Sequence, residues 1–363
     1  MLRHLPIPLT VTLSAAVLSA CAGGTASSGA GQVSGVMPAA LQTSKVASRP
    51  ASSSNLYVAE RNPQGTGSGY VDVYAPGGTS PIRTITDGIK QPFALALDNA
   101  GDLFVASWCG CDAGTGGVVT EYASGKGKVI LRISVQKPNA LAFDPSGNLF
   151  VGGLKTVTGY APGSKTPFET ISNGIKTPMA LAFDSTGNLY VGNLGKSSKG
   201  FNNVTVYAPG NTTPSETITQ GINYPYSLLI DQSNNLYVAN LQGKVTIYAP
   251  GSTSPTKTVM KFICGPRELA FDSKYDLYVA NWCSESDSWS VTGYAPGGGA
   301  LKRNINMGIY LPTAIAFDNK DNLYVANNRQ SGAAILVYPP NSTTPQYSIT
   351  DGVKEVTAFG FGP

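Results

Sequence analysis

The chain has a single histidine, His4, and five cysteines, Cys21, Cys109, Cys111, Cys264 and Cys283. A serine or cysteine nucleophile of the usual kind needs an imidazole beside it to take its proton. His4 stands in an N-terminal stretch with the character of an export signal, and removal of that stretch leaves no histidine at all. Ser–His and Cys–His catalysis are thereby excluded, and a zinc site would lack ligands. Carboxylates remain. Glu60, Glu268, Glu285 and Asp287 could hold a divalent cation, Ca2+ or Mg2+, at a central opening. Nothing in their spacing brings them to one point, so no cofactor is expected. Asp98, Asp144, Asp184, Asp231, Asp272 and Asp318 are tempting as cation ligands too, but each opens a turn, which explains it without a metal.

These residues hang on a repeat. Leu236-Tyr237-Val238-Ala239-Asn240 recurs in variant form seven times, beginning at Leu56, Leu103, Leu149, Leu189, Leu236, Leu277 and Leu323. Successive starts lie 40 to 47 residues apart, inside the window of propellers and solenoids. Each unit carries four strand signals. Strand a reads like Pro138-Asn139-Ala140-Leu141-Ala142-Phe143-Asp144, strand b is the Leu-Tyr-Val stretch, strand c ends like Tyr207-Ala208-Pro209-Gly210, and strand d resembles Glu216-Thr217-Ile218. Four short strands between turn residues describe one propeller blade. In strand b, Leu236 and Val238 face one way and Tyr237 and Ala239 the other. Both faces are apolar, as a sheet packed between two neighbours requires. Tyr74, Tyr122, Tyr160, Tyr207, Tyr248, Tyr294 and Tyr338 close strand c in every unit and read as interblade packing.

The first strand b, at Leu56, has no strand a before it, and the last strand a, Thr357 to Phe361, has no strand b after it. Joining them completes a seventh blade. The expected fold is all-β, a seven-bladed propeller of four-stranded blades whose ring is closed by N- and C-terminal strands. Closure removes sheet edges that would invite aggregation. Pro-x-Ala-Leu-Ala-Phe-Asp-x-x-Gly-Asn-Leu-Tyr-Val-Ala-Asn resembles the NHL-repeat propellers and their SMP-30/gluconolactonase-like and streptogramin-lyase-like relatives, over residues 55–363. The resemblance implies architecture more than activity, because the fold hosts binders and enzymes alike. It raises the alternative of a metal-dependent lactonase, hydrolase or lyase. The lyase pattern needs a histidine that the processed chain lacks, and no lactonase constellation can be placed residue by residue.

The N-terminus adds an address. Arg3 and the apolar stretch Leu9 to Ala20 read as a signal peptide over residues 1–20, too short to span a bilayer of about 30 Å comfortably. Leu18-Ser19-Ala20-Cys21 resembles a bacterial lipobox, which implies lipid (palmitate) attachment at Cys21. Residues 21–54 are rich in Gly, Ala, Ser and Thr and nearly free of charge, a composition that cannot offset its ordering entropy. As a flexible tether it would span roughly 30 Å. Localisation at a bacterial envelope membrane, by a lipid anchor on the outer membrane or cell surface, is expected. The formal charge of +4 on 363 residues offers no basic footprint, so nucleic acid is not an expected partner. A monomer is expected.

Chain direction separates two ends of the ring. The a–b and c–d turns are short and uniform; the b–c and d–a connections vary, and variable loops on a rigid scaffold are the usual place for recognition. Trp108, Trp282 and Trp289 all fall in those b–c loops. The residue after the strand-a proline should sit near the central opening and differs from blade to blade: Phe93, Asn139, Met179, Tyr226, Arg267 and Thr313. Glu268 replaces a small residue of the other units, and an Arg267–Glu268 pair could orient a polar ligand or form a salt-bridged plug. Asn193, Asn240, Asn281 and Asn327 close strand b where the first unit has Glu60. Their amides suit sugars or peptides, or they cap their own loop backbone. Candidate ligand-binding residues are therefore Glu60, Trp108, Tyr226, Arg267, Glu268, Asn281, Trp282, Trp289 and Asn327. Cys264 and Cys283 lie at the open end of one hairpin, where an exported protein permits a disulfide. Cys109 and Cys111 could form a small strained bridge or stay free. The favoured reading is a membrane-anchored binding module for a glycan, peptide or protein.

Overall fold

The computed structural model describes residues 54–61, 68–108, 116–195, 202–283, 288–328 and 332–363. The expected signal peptide, residues 21–53 of the expected tether, Cys109, Cys111, Glu285 and Asp287 lie outside the described residues. Seven four-stranded antiparallel sheets make up the molecule, each in the order a–b–c–d, and together they form a seven-bladed β-propeller. Blade 1 runs through Gln91–Leu97, Leu103–Trp108, Gly117–Tyr122 and Val129–Ser134. Blades 2 to 6 repeat the pattern, with strands a at Ala140–Phe143, Pro178–Phe183, Pro225–Ile230, Pro266–Phe271 and Pro312–Phe317. Blade 7 takes strand a from the C-terminus, Val356–Gly362, and strands b, c and d from Asn55–Arg61, Gly69–Tyr74 and Pro81–Ile85. Strand a of each blade touches strand a of both neighbours, so the seven inner strands close a ring.

The core is seven slabs between blades rather than one central mass. Leu236 and Val238 pack into the slab shared by blades 3 and 4, whereas Tyr237 and Ala239 enter the slab between blades 4 and 5. The period-two alternation of one strand therefore serves two cores. Tyrosines at the ends of strands c tie the slabs together across the ring. The Tyr74 hydroxyl donates to the Asp351 carbonyl (2.7 Å), Tyr207 to Asn173 (2.6 Å) and Tyr248 to Gln220 (2.7 Å), each in the neighbouring blade.

The turns explain the repeated Asp and Pro-Gly. Asp144 Oδ1 accepts the N–H groups of Ser146 (2.9 Å) and Asn148 (2.8 Å), and the same pair of bonds recurs from Asp184, Asp231 and Asp318. These carboxylates hold their own hairpins. After strand c, Asn211 N–H returns to the Ala208 carbonyl over Pro209 and Gly210, whose φ of +71° is the left-handed corner that Gly accepts without strain.

Candidate functional site

At the proline end of strand a, where the d–a connections enter, the pairing with strand b slips. The register shifts between Pro92 and Ala94, Pro178 and Ala180, Pro225 and Ser227, Pro266 and Glu268, and Pro312 and Ile315. Blade 7 does the same, with Val356 opposite Glu60 and Ala358 opposite Ala59. A bulge leaves one residue out of the ladder and re-aims its side chain. Phe93, Met179, Tyr226, Arg267 and Thr357 are the extra residues. They form the inner rim of the propeller at the end carrying the three tryptophans.

Contacts run around this rim from blade to blade. Phe93 stacks on Trp108 with ring centroids 3.9 Å apart, and the Trp108 indole N–H donates to the Pro138 carbonyl (3.2 Å). Asn139 donates to the Pro178 carbonyl (3.3 Å), and Met179 packs with Tyr226. The Arg267 guanidinium lies 4.8 Å from the Tyr226 ring centre and 3.8 Å from that of Trp282, a cation held between two aromatic rings. It also donates to the Tyr226 hydroxyl. Thr313 Oγ1 donates to the Val356 carbonyl (3.0 Å), and Asn328 donates to both. Trp289 leans on Tyr310 with centroids 4.1 Å apart. The rim is thus a packed lining.

Arg267 and Glu268 do not form the expected pair. The bulge extrudes Arg267 toward the centre, while Glu268 stays in the ladder opposite Ala280 and turns toward blade 6. There its Oε2 accepts the Ile315 N–H (3.1 Å). Burial raises the Glu268 pKa well above the ordinary carboxylate value, and the bond from the Ile315 N–H opposes this. Arg267 is in none of the ion pairs between described residues, and burial lowers its pKa from the ordinary guanidinium value. Among the described residues its Nε–H is buried without an acceptor, as is the Nε–H of Arg61. Arg61 follows Glu60 at the same end of strand b, forms an ion pair with Glu355, and acts electrostatically on Tyr226.

The amides that close strand b all do one backbone job. Asn193 Oδ1 accepts the Lys176 N–H (3.1 Å), Asn240 the Asn223 N–H (2.7 Å), Asn281 the Cys264 N–H (3.4 Å) and Asn327 the Tyr310 N–H, always 17 residues upstream. In blades 3 to 5 the Nδ2 group donates to the carbonyl two residues back and to a threonine hydroxyl on strand c, Thr205, Thr246 or Thr292. Each Asn is a latch fastening the entry of strand a to strand b. Asn240→Ala is expected to cost about 1–3 kcal/mol, because it leaves a buried donor unmade. Equilibrium urea unfolding measures this, and an unchanged midpoint would refute the latch.

Blade 7 builds the latch from acids. Glu60 takes the place of Asn, and Asp72, opposite Val58, takes the place of Thr. Glu60 is fully buried. Its Oε2 accepts the Lys354 N–H (2.6 Å) and the Tyr70 hydroxyl (3.2 Å), whereas Oε1 has no partner. Burial pushes the Glu60 pKa up to about 8; the Lys354 N–H opposes this and the Asp72 charge adds to it.

Cys264 and Cys283 lie at the open end of one hairpin, as expected, but no bond joins them. The Cys283 thiol donates instead to the Cys264 carbonyl oxygen (3.5 Å). Among the described residues no group of three or more His, Cys, Asp or Glu side chains is disposed to hold a metal ion. Arg61, Asp72 and Asn328 were not singled out from sequence. Asp72 carries a signal, since blades 3 to 5 have Thr there. Arg61 and Asn328 follow the last residue of the repeat, where comparison between blades stops.

No protein-family model matches the chain, and no curated protein matches it. Among solved structures it is similar to hydrazine synthase of Kuenenia stuttgartiensis, at 17% identity and a TM-score of 0.55, over 69% of this chain and 78% of that one. At that identity the likeness concerns the fold alone.

Proposed function

We propose that this propeller is a binding module that recognises a glycan, peptide or protein through its b–c/d–a face, held at a bacterial envelope membrane by lipid on Cys21. The observation that carries the reading is the contrast between the two kinds of strand-end residue. The repeated amides are consumed by backbone latches, whereas the bulged rim residues differ from blade to blade, and among the described residues the Arg267 Nε–H meets no acceptor. A rigid ring that displays non-repeating side chains at one end suits recognition. The likeness of the repeat to NHL and SMP-30-like propellers supports the same architecture of use, and the lipobox supports the anchor.

The test uses glycan and peptide arrays probed with the protein and with the Trp108→Ala/Trp282→Ala variant. One ligand class should be retained by the wild type and lost in the variant, both keeping a cooperative melt above the assay temperature. Cys21→Ala should move the protein from the membrane fraction to the soluble fraction. Calorimetric binding of a divalent ion together with turnover of a lactone would replace this reading with the enzymatic one.

A further inference from the structure

We infer that the central mouth is a carboxylate-binding subsite in which Arg267 and Arg61 hold the acid group of an acidic saccharide; the inference rests on the binding-module reading above. Arg267 is brought to the centre by the strand-a bulge and is fixed in orientation by the rings of Tyr226 and Trp282. Side-chain ordering, usually a cost of binding, is thus largely met before a ligand arrives. A guanidinium offers five donors in a planar fork that matches a carboxylate. Among the described residues Arg267 meets only an aromatic hydroxyl and no anion. Taking a guanidinium out of water without a counter-ion is costly, so a ligand that brings the missing acceptor is favoured there.

A second arginine makes this a site rather than one stray cation. Arg61 comes from blade 7 and Arg267 from blade 5, and the charges of both act on Tyr226 of blade 4. Each has an Nε–H without an acceptor. Glu355 neutralises Arg61, and Glu268 is turned away into blade 6. Among the described residues this leaves one positive charge uncompensated, which the carboxylate group of one sugar unit balances. The surroundings are aromatic, with the half-buried rings of Trp108, Trp282 and Trp289 at the same end. A sugar acid supplies a carboxylate for the fork and C–H faces for the rings. An acidic peptide supplies the first without the last.

The experiment is calorimetric titration of the protein with trigalacturonate, neutral trigalactose, triglutamate and inorganic phosphate, at low and high salt. Trigalacturonate should bind and weaken with salt, and trigalactose should bind at least tenfold more weakly. Arg267→Gln should weaken trigalacturonate at least tenfold, and Arg267→Lys should not restore it, because a point charge lacks the fork. Both variants should keep a cooperative melt above the titration temperature, so that lost binding is not lost folding. Equal affinity for trigalactose, or an unaffected Arg267→Gln variant, overturns the proposal. Tighter triglutamate overturns the saccharide assignment, and tighter phosphate overturns the carboxylate assignment. An array ligand that depends on Trp108 and Trp282 but not on Arg267 sinks this inference and leaves the binding-module reading standing.

Discussion

Glu60→Gln is expected to raise the melting temperature at pH 8 and above and to leave it nearly unchanged at pH 4.5. Glu60 is fully buried, its Oε1 meets no donor among the described residues, and Asp72, opposite Val58, stands where blades 3 to 5 have Thr. The groups around it are Lys354 and Asp351 from the strand-a entry, Tyr70, Asp72 and Tyr74 from strand c, and the Arg61–Glu355 pair at the rim. Only one cation, Lys354, appears among the influences on Glu60, and it is outweighed by desolvation. The folded-state pKa of about 8 lies above the reference value of 4.5. The folded protein therefore holds the proton more tightly than the unfolded chain. The stability tied to this group is fully present below about pH 4.5 and is lost as pH rises through about 8. A shift of this size corresponds to about 5 kcal/mol when complete. Gln keeps the shape, cannot ionise, and offers an N–H2 donor toward Asp72, restoring in part the Asn–Thr arrangement of the other latches. Thermal melts of both proteins from pH 4.5 to 9 decide the matter. Parallel melting curves across that range would show that Glu60 does not titrate in the folded ring. Asp72 is raised in the same direction, also chiefly by burial, so a residual slope in the variant is expected.

Removing residues 356–363 should abolish cooperative folding. This segment is strand a of blade 7 and the inner link of the ring. Its loss strips Phe359 and Val356 from the slab between blades 6 and 7 and Ala358 from the slab between blades 7 and 1. It also breaks the bonds that close the circle, Tyr57 hydroxyl to the Pro363 carbonyl (2.9 Å) and Thr357 hydroxyl to the Ala59 carbonyl (3.0 Å). Strand Asn55–Arg61 would become an exposed apolar edge, a template for aggregation. Phe359→Ala is the graded form, expected to cost about 3–5 kcal/mol. Circular dichroism in a urea series measures both. A truncated chain with an unchanged midpoint would mean that seven-blade closure contributes little to stability.

Much of this was legible in the residues. The alternation in Leu236-Tyr237-Val238-Ala239 defines a strand apolar on both faces, and seven copies with an orphan strand at each end require closure of a ring. The Asp and Pro-Gly turns follow from local hydrogen bonding and from φ preference, which need only neighbours in sequence. Their structural role was therefore readable without coordinates. The strand-b amides left two readings, and the i−17 latch separates them only because a backbone N–H from the preceding connection is placed against Oδ1.

What the sequence determined by itself was architecture, because a repeat writes the same packing requirement seven times and each copy checks the others. What the tertiary structure alone decided was direction. One extra residue in strand a turns Arg267 into the mouth between Tyr226 and Trp282 and leaves Glu268 pointing into blade 6. Adjacent charges that read as a pair are parted because successive strand residues face opposite ways and a bulge shifts that alternation by one. Likewise, Glu60 meets the Lys354 N–H only when the first strands join the last. A shift in register and a closed ring belong to the whole chain, and no single unit carries them.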